Sequence, residues 1–251
     1  MIIRKKLKTT IVLGTITPLI LLNSATFAAA KPLSSAANNP AAQTLTAVQQ
    51  QDLATLKSKG TEEINRRITS LKEAIAKVNA SSKLSSSDKT YLLSEDNTEL
   101  TGLTTLETTL NSETQLSAAR TDVQSIFSDY RVYALVLPKT WLVTVSDGEV
   151  NVAAQLTALS TKIQTKITTD KNAGKNVDAL QTQLNSMIAT VNSAQTTAAA
   201  VQAKVLNLQP SDYNSDHTIL SGYKAQLQTV HTDNQTAYND AKNIITSLKS
   251  L

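Results

Sequence analysis

Few residues in this 251-residue sequence are of types that carry chemistry. The chain has no cysteine and two histidines, His217 and His231. On one continuous helix the fourteen residues between them correspond to about 21 Å, which is too far for both side chains to bind one metal ion. Neither histidine stands in a His-Glu-x-x-His motif. We therefore predict an ordinary surface role for both.

The segment DKNAGKNVDALQ, residues 170 to 181, has the alternating Asp and Asn residues of a calcium-binding loop. An EF-hand loop needs glycine at its sixth position and a bidentate glutamate at its twelfth. Lys175 and Gln181 occupy those positions. The segment is therefore predicted to be a turn between two helices, in which Gly174 ends the first helix.

No other pattern indicates catalysis. No Gly-x-Ser-x-Gly motif surrounds any serine, and no glycine-rich loop suited to phosphate is present. Glu95 and Asp96 are neighbours in sequence, but adjacent residues of a helix do not face each other. We predict a protein that is not an enzyme, with no catalytic, cofactor-binding or metal-binding residues and no cofactor.

The N-terminal residues have the layout of a secretory signal peptide, predicted here to span residues 1–30. A basic head is followed by an apolar run, residues 11–22, and by small residues, with Ala28 and Ala30 placed for cleavage. The alternative is an uncleaved anchor, but the run is short of about 20 residues and contains Pro18. Residues 31–42 are predicted to be a flexible linker. The mature protein is expected to be secreted or associated with the cell envelope.

Removal of the signal peptide changes the charge of the chain. Four of the 24 Lys and Arg residues precede residue 31, whereas all 20 Asp and Glu residues follow it. The mature chain is therefore formally neutral. Because no basic surface remains, we predict no nucleic-acid partner.

The clearest structural signal is a seven-residue repeat in residues 177–208. Apolar residues occupy two positions of every heptad without interruption, which is typical of a coiled-coil seam. The two series are Val177, Leu184, Val191, Ala198 and Val205, and Leu180, Met187, Ala194, Val201 and Leu208. This pattern predicts one long helix over the segment.

The last segment follows the same rule from Tyr213 to Leu251, with Asn234 as a polar exception that can fix the register of the helices. Pro210 separates it from the preceding helix, and Ser211 or Asp212 is the predicted N-cap. An apolar stripe from Val152 to Ile167 indicates a further helix. Residues 138–251 are therefore predicted to form a three-helix antiparallel bundle.

Residues 43–137 are predicted to form an N-terminal helical hairpin and a connecting helix. Gly60 interrupts the apolar face of the first helix and is a predicted bend. Glu62 and Glu63 each precede an arginine by four residues, which predicts exposed ion pairs with Arg66 and Arg67.

The most apolar mature stretch is YRVYALVLPKTWLVTV, residues 130–145. A helical pattern extends to Leu137, and Pro138 is expected to kink or break the helix. Two structures fit the following residues. Valines alternating around Asp147 suggest a small β-hairpin, whereas Ser146 and Glu149 suggest a capping box that begins the next helix. The cap is favoured because the helix that carries the apolar stripe from Val152 must start close to this position.

The same stretch leaves two roles open. It is either a core where the N-terminal and C-terminal bundles meet, or a membrane-seeking segment like the hydrophobic tongue of secreted helical pore-forming toxins. Sixteen residues that include two cations and a proline are short and polar for a membrane span. The possible membrane or partner contacts are Tyr130, Tyr133, Leu137, Trp141, Val143 and Val145.

The overall layout supports one resemblance. A signal peptide, a Thr- and Gln-rich hairpin, the centre RTDVQSIFSDYRVYALVLPK and the final helix PSDYNSDHTILSGYKAQL resemble uncharacterised exported coiled-coil proteins of candidate-phylum, Patescibacteria-type bacteria. The resemblance covers most of the mature chain and implies export and a helical fold, but no known activity or site residues.

Together these patterns predict an all-α fold of elongated antiparallel helical hairpins, or a coiled-coil bundle with a kink near Pro138. The predicted function is that of an exported, non-enzymatic structural or interaction protein of the cell envelope or extracellular space. Its partner is not indicated by the sequence. The alternative is a membrane-active, pore-forming-like helical bundle that uses residues 130–145.

Overall fold

The computed structural model of the chain describes residues 45–251, which are helical, joined by short turns, and contain no strand. This confirms the all-α class. The helices are α1 (Ala47–Ala80), α2 (Ser86–Ser112), α3 (Leu116–Ser128), α4 (Leu137–Asn172), α5 (Asp178–Leu206), α6 (Pro210–Ser215) and α7 (Ile219–Ser250). A π-helical turn, Val132–Val136, leads directly into α4. The predicted signal peptide and linker lie outside the described residues.

Buried apolar side chains of the described residues gather in clusters that join different sets of helices. One cluster joins α4, α5 and α7 around Leu184 and Met187. A second joins the end of α1 and the start of α2 to α4, α5 and α7, and includes Leu92 and Val143. A third joins α1, α2, α3 and the π-helical turn. The second cluster thus connects the N-terminal helices to the C-terminal ones.

The heptad pattern correctly identifies the buried face of α5. All ten residues of the two series in 177–208 are buried. The last helix differs from its prediction, because α7 begins at Ile219 and the short α6 precedes it. Ser211 and Asp212 lie within α6, so neither is its N-cap. Gln209 has that role, and its backbone N–H donates to Asp212 at 2.8 Å.

The helix break in the apolar stretch lies earlier than Pro138. Arg131 has a left-handed backbone conformation with a φ of 44°, and it separates α3 from the π-helical turn. From there the backbone stays helical to Asn172. Pro138 lies in the first turn of α4, where a helix tolerates proline.

Both structures proposed for residues 143–152 are wrong, the β-hairpin and the capping box alike. Helix α4 continues through this segment, and Ser146 and Glu149 are buried inside it. Side chains from other helices bind the polar groups here, including Asn234 on Glu149 and Gln202 on Asp147. Tertiary partners therefore override the local signal for a cap.

The bend predicted at Gly60 is wrong, and the predicted ion pair of Glu63 with Arg67 is present but not exposed. Helix α1 is continuous through Gly60, where a Cβ would lie 2.6 Å from the Leu110 Cδ2 atom and 2.8 Å from the Val123 Cγ2 atom. The glycine therefore permits close packing of α2 and α3. Arg67 is buried rather than exposed, pairs with Glu63, and has a pKa lowered to about 10 by burial.

The close packing at Gly60 can be tested with two alanine substitutions. We expect Gly60→Ala to lower the free energy of unfolding by about 1 kcal/mol, because overpacking outweighs the gain in helix propensity. Gly222→Ala, in α7 with nothing within 4 Å of the added Cβ, should instead raise it by about 0.5–1 kcal/mol. Urea denaturation of both variants measures the difference, and stabilisation by Gly60→Ala would contradict the packing.

Candidate functional site

The buried face of α2 carries carboxylic acids among its leucines. Asp96 and Glu99 fall between Leu92 and Leu103 at spacings of four, three and four residues, which place all four on one side of the helix. Asp96 is only 1% exposed. This spacing was the signal by which the sequence could have identified the pair, because acids on an inward face must find buried partners.

Lys139 in the first turn of α4 lies opposite these acids and is buried. Its Nζ atom pairs with the Glu95 carboxylate at 2.7 Å and donates to the Leu208 carbonyl oxygen at 3.1 Å. Tyr91 reinforces the link, since its hydroxyl lies 3.1 Å from the Leu206 carbonyl oxygen. The ammonium thus joins α2 and α4 to the C-terminal end of α5, where helix carbonyls carry partial negative charge.

Asp96 and Glu99 are less well paired than Glu95. The Oδ2 atom of Asp96 and the Oε2 atom of Glu99 are buried without a hydrogen-bond partner. Burial, reinforced by the negative charge of Glu95, raises the pKa of each carboxyl to about 7, and Lys139 only partly opposes this. Each acid therefore exchanges a proton near neutral pH.

A second polar set joins α4 to the start of α2 and to α5. The Asp147 carboxylate accepts from the Ser85 backbone N–H at 2.6 Å and from the Gln202 side chain at 2.7 Å. Gln202 also donates to Asp88. Burial raises the pKa of Asp147 to about 6, with the nearby Asp88 carboxyl adding to the shift and the Ser85 N–H opposing it.

A third polar set joins α4 to α7. The buried Glu149 carboxylate accepts from the Asn234 side chain at 2.9 Å, and its other oxygen lies 2.8 Å from the His231 Nδ1 atom. His231 is half-exposed, and its Nε2 atom contacts Gln235. The proposed register role of Asn234 stays a prediction, which its contact with Glu149 supports.

Most of the predicted contact residues in 130–145 pack inside the molecule. Tyr130, Tyr133 and Leu137 pack, partly buried, against the third cluster. Val143 is buried in the second cluster, and Val145 packs against it. Trp141 differs from them, because its side chain is 47% exposed. Within residues 45–251, no helix has the length and apolar character required to cross a membrane.

The turn predicted in place of a calcium loop is present. It links α4 to α5, and Gly174 has a φ of 80°. Asp170, the first residue of the loop-like motif, pairs with Lys166 and Lys175. In the described part of the chain, no group of three or more His, Cys, Asp or Glu side chains is arranged to hold a metal ion.

The arrangement around Lys139 is suited to binding and releasing protons within a helix interface. The sequence pattern identifies none of Asp96, Glu99, Lys139 and Asp147 as site residues, because the helices that bring them together are far apart in the chain. Comparison of the chain with protein-family models, curated proteins and solved structures found no match.

The raised pKa values predict that the protein loses stability as the pH rises. In the unfolded chain the acids have pKa values near 4, so between about pH 5 and 8 the folded state binds more protons than the unfolded state. The resulting stabilisation is full at low pH and is lost as the pH passes about 6 to 7. We expect a loss of at least about 2 kcal/mol between pH 5 and pH 8, which is roughly what one acid with a pKa of about 7 contributes by itself.

Urea denaturation at a series of pH values measures this loss. An Asp96→Asn variant should show a smaller loss than the parent chain, because its side chain does not ionise. Constant or rising stability between pH 5 and pH 8 in the parent chain would contradict the pKa assignments.

Proposed function

We propose that the protein is an exported, non-enzymatic structural or interaction protein of the cell envelope or extracellular space. The observation that carries this proposal is the outer face of α5. From Ala179 to Ala203 the helix contains no charged residue and no histidine. Its heptad residues point inward and are buried, so Thr, Ser, Asn, Gln and Ala side chains form the exposed face.

An uncharged face of this kind suits contact with a partner. A partner that covers it has no ionised side chain to desolvate, and burying ionised groups is the costly part of forming an interface. Grooves flank the helix on both sides. The groove towards α4 has a volume of about 460 Å³ and includes Thr161, Thr165 and Ile188 in its lining. The groove towards α7 is lined by Gln183 and Ser186 of α5 and by Asp240 and Asn243 of α7, so its one carboxylate lies outside the α5 face.

The proposed architecture is a set of antiparallel hairpins with coiled-coil packing in the α4–α5–α7 bundle. Hydrogen bonds support opposite directions for α1 and α2, because Asn65 bonds to Glu107 while the later Asn79 accepts from the earlier Lys89. Likewise Gln164 of α4 and Gln181 of α5 exchange hydrogen bonds across their short turn. Export remains a proposal that rests on the signal-peptide pattern.

The outer face of α5 can be tested by adding charge to it. Ser186 and Ser193 are exposed and one heptad apart. We expect Ser186→Glu with Ser193→Glu to reduce binding of the purified chain to a cell-envelope fraction by at least about 10-fold, because the partner must then desolvate two carboxylates. Co-sedimentation of the labelled chain with the fraction measures the binding.

The matched control is Thr229→Glu with Thr236→Glu on α7. These two residues are also exposed and one heptad apart, so the control carries the same added charge. It should bind like the parent chain, and circular dichroism should show equal helix content in all three proteins. Equal binding by both variants, or no binding by the parent chain, would count against the proposed function.

A membrane-active helical bundle is the second candidate function, and the exposure of Trp141 is the observation that favours it. Tryptophan is enriched at membrane interfaces because one part of its ring system is apolar and another is polar. However, the other five candidate contact residues pack against the core. Membrane entry by residues 130–145 would therefore require the second and third clusters to open.

Dye release from lipid vesicles distinguishes the two functions. The leading proposal predicts no release by the parent chain. The membrane-active alternative predicts release by the parent and a loss of most of it in Trp141→Ser. Because Trp141 is exposed, this variant should fold like the parent. Release by both chains to the same extent would exclude Trp141 as the membrane contact.

A further inference from the structure

We infer that Lys139 and the acids of α2 form a proton-operated clasp. Proton uptake by Asp96 and Glu99 holds α2 against α4 and the end of α5, and proton loss releases it. The clasp is a property of the helix interface and does not depend on which partner the α5 face binds.

The first argument is the imbalance of charge at the interface. Glu95 alone forms an ion pair with Lys139, while the Asp96 and Glu99 carboxyls each keep one buried oxygen without a partner. When both acids are protonated, the charges of Glu95 and Lys139 cancel and the net charge of the interface is zero. When both are ionised, three carboxylates face one ammonium group, and unpaired buried charge is strongly destabilising.

The surrounding residues do not compensate this imbalance. From α2 itself the facing titratable groups are Tyr91 and Glu95. From the segment after α3 the facing group is Tyr130, whose phenol is influenced by Glu99 and also by the negative charge of Asp129. From the C-terminal end of α5 and the residues just after it, the contact is made by the carbonyl oxygens of Leu206 and Leu208, which are also electronegative. Lys139 is the cation that the structure places against these groups.

The second argument is that α2 is joined to α4 and α5 mainly by side chains. The backbone of α2 lies close to α1 and α3. Its links to α4 and α5 are made by side chains: the ion pair of Glu95 with Lys139, the hydrogen bonds of Gln202 with Asp88 and Asp147, and the apolar contacts of Leu92. Repulsion in the clasp can therefore separate this interface while α2 stays packed on α1. We expect separation to make Val143 accessible, because this fully buried residue belongs to the second cluster together with Leu92 of α2.

The expected size of the effect follows from proton linkage. Each carboxyl with a pKa of about 7 in the closed interface, and an ordinary pKa when open, changes the ratio of open to closed forms roughly 30-fold between pH 5.5 and pH 8.5. Asp147, with a pKa of about 6, adds roughly 4-fold over the same range. Opening is favoured at the higher pH.

Cysteine labelling can measure this opening, because the chain has no cysteine of its own. Val143→Cys reports opening of the clasp interface, and Val191→Cys, buried in the α4–α5–α7 cluster, reports opening of that bundle. Each labelling rate is divided by the rate of the same variant unfolded in urea at the same pH. We expect the normalised rate at residue 143 to rise at least about 30-fold from pH 5.5 to pH 8.5. It should also exceed the rate at residue 191 at each pH, because residue 191 is exposed only when the α4–α5–α7 bundle opens as well.

Two further variants identify the groups responsible. In the Val143→Cys background, Asp96→Asn with Glu99→Gln should reduce the pH effect to the few-fold change that Asp147 supplies. The control, Asp52→Asn with Glu73→Gln, removes two exposed carboxylates from α1 and should keep the full effect. The clasp is overturned if residue 143 shows no pH effect, if the Asp96 and Glu99 variant keeps the full effect, or if residues 143 and 191 are labelled at equal normalised rates at each pH.

Discussion

The buried ammonium group of Lys139 is the constraint on which the junction between the N-terminal and C-terminal helices depends. Burying an unpaired lysine costs several kcal/mol, so its acceptors must be fixed in place. Those acceptors are the Glu95 carboxylate of α2 and the Leu208 carbonyl oxygen after α5. The start of α4 is thereby tied to two helices that lie far from it in sequence. The left-handed residue Arg131 and the π-helical turn, just before α4, allow the chain to reach this position.

The buried face of α4 changes from polar to apolar along the length of the helix. Its first half buries Lys139, Ser146, Asp147 and Glu149, whereas its second half buries mainly apolar residues such as Ile163. The polar half contacts α2, α5 and α7 through directional hydrogen bonds and ion pairs, which specify the register of the contacts. The apolar half packs with α5 and α7 alone. Specificity and sensitivity to pH are therefore concentrated at one end of the helix.

The sequence predicts the apolar packing of the α4–α5–α7 bundle well, and the polar contacts in the first half of α4 poorly. Heptad spacing identifies the buried face of α5, and Gly174 identifies the turn before it, because both signals are local. At Ser146 and Glu149 the local pattern favours a helix start. The actual outcome depends on Asn234 and Gln202, whose proximity only the tertiary fold creates. The bend predicted at Gly60 is wrong for the same reason. Only the close approach of α2 and α3 shows why a side chain is excluded at this position.

Helix α5 contributes both to the contacts beside the clasp and to the proposed contact surface, and the two uses involve different positions along the helix. At the C-terminal end of α5, the Leu206 carbonyl accepts from Tyr91 beside the clasp, and Gln202 bonds to the neighbouring Asp147. The uncharged outer face extends to this end, but Ser186 and Ser193, the positions at which it is tested, lie about two helical turns or more before Gln202, in the part of α5 whose inner residues pack on α4 and α7. On this face Thr182 and Thr190 donate their hydroxyl protons to their own helix, at Asp178 and Ser186. Because apolar heptads hold this part of α5, we expect proton loss at the clasp to alter the C-terminal end of the helix and to leave the face around Ser186 and Ser193 in place.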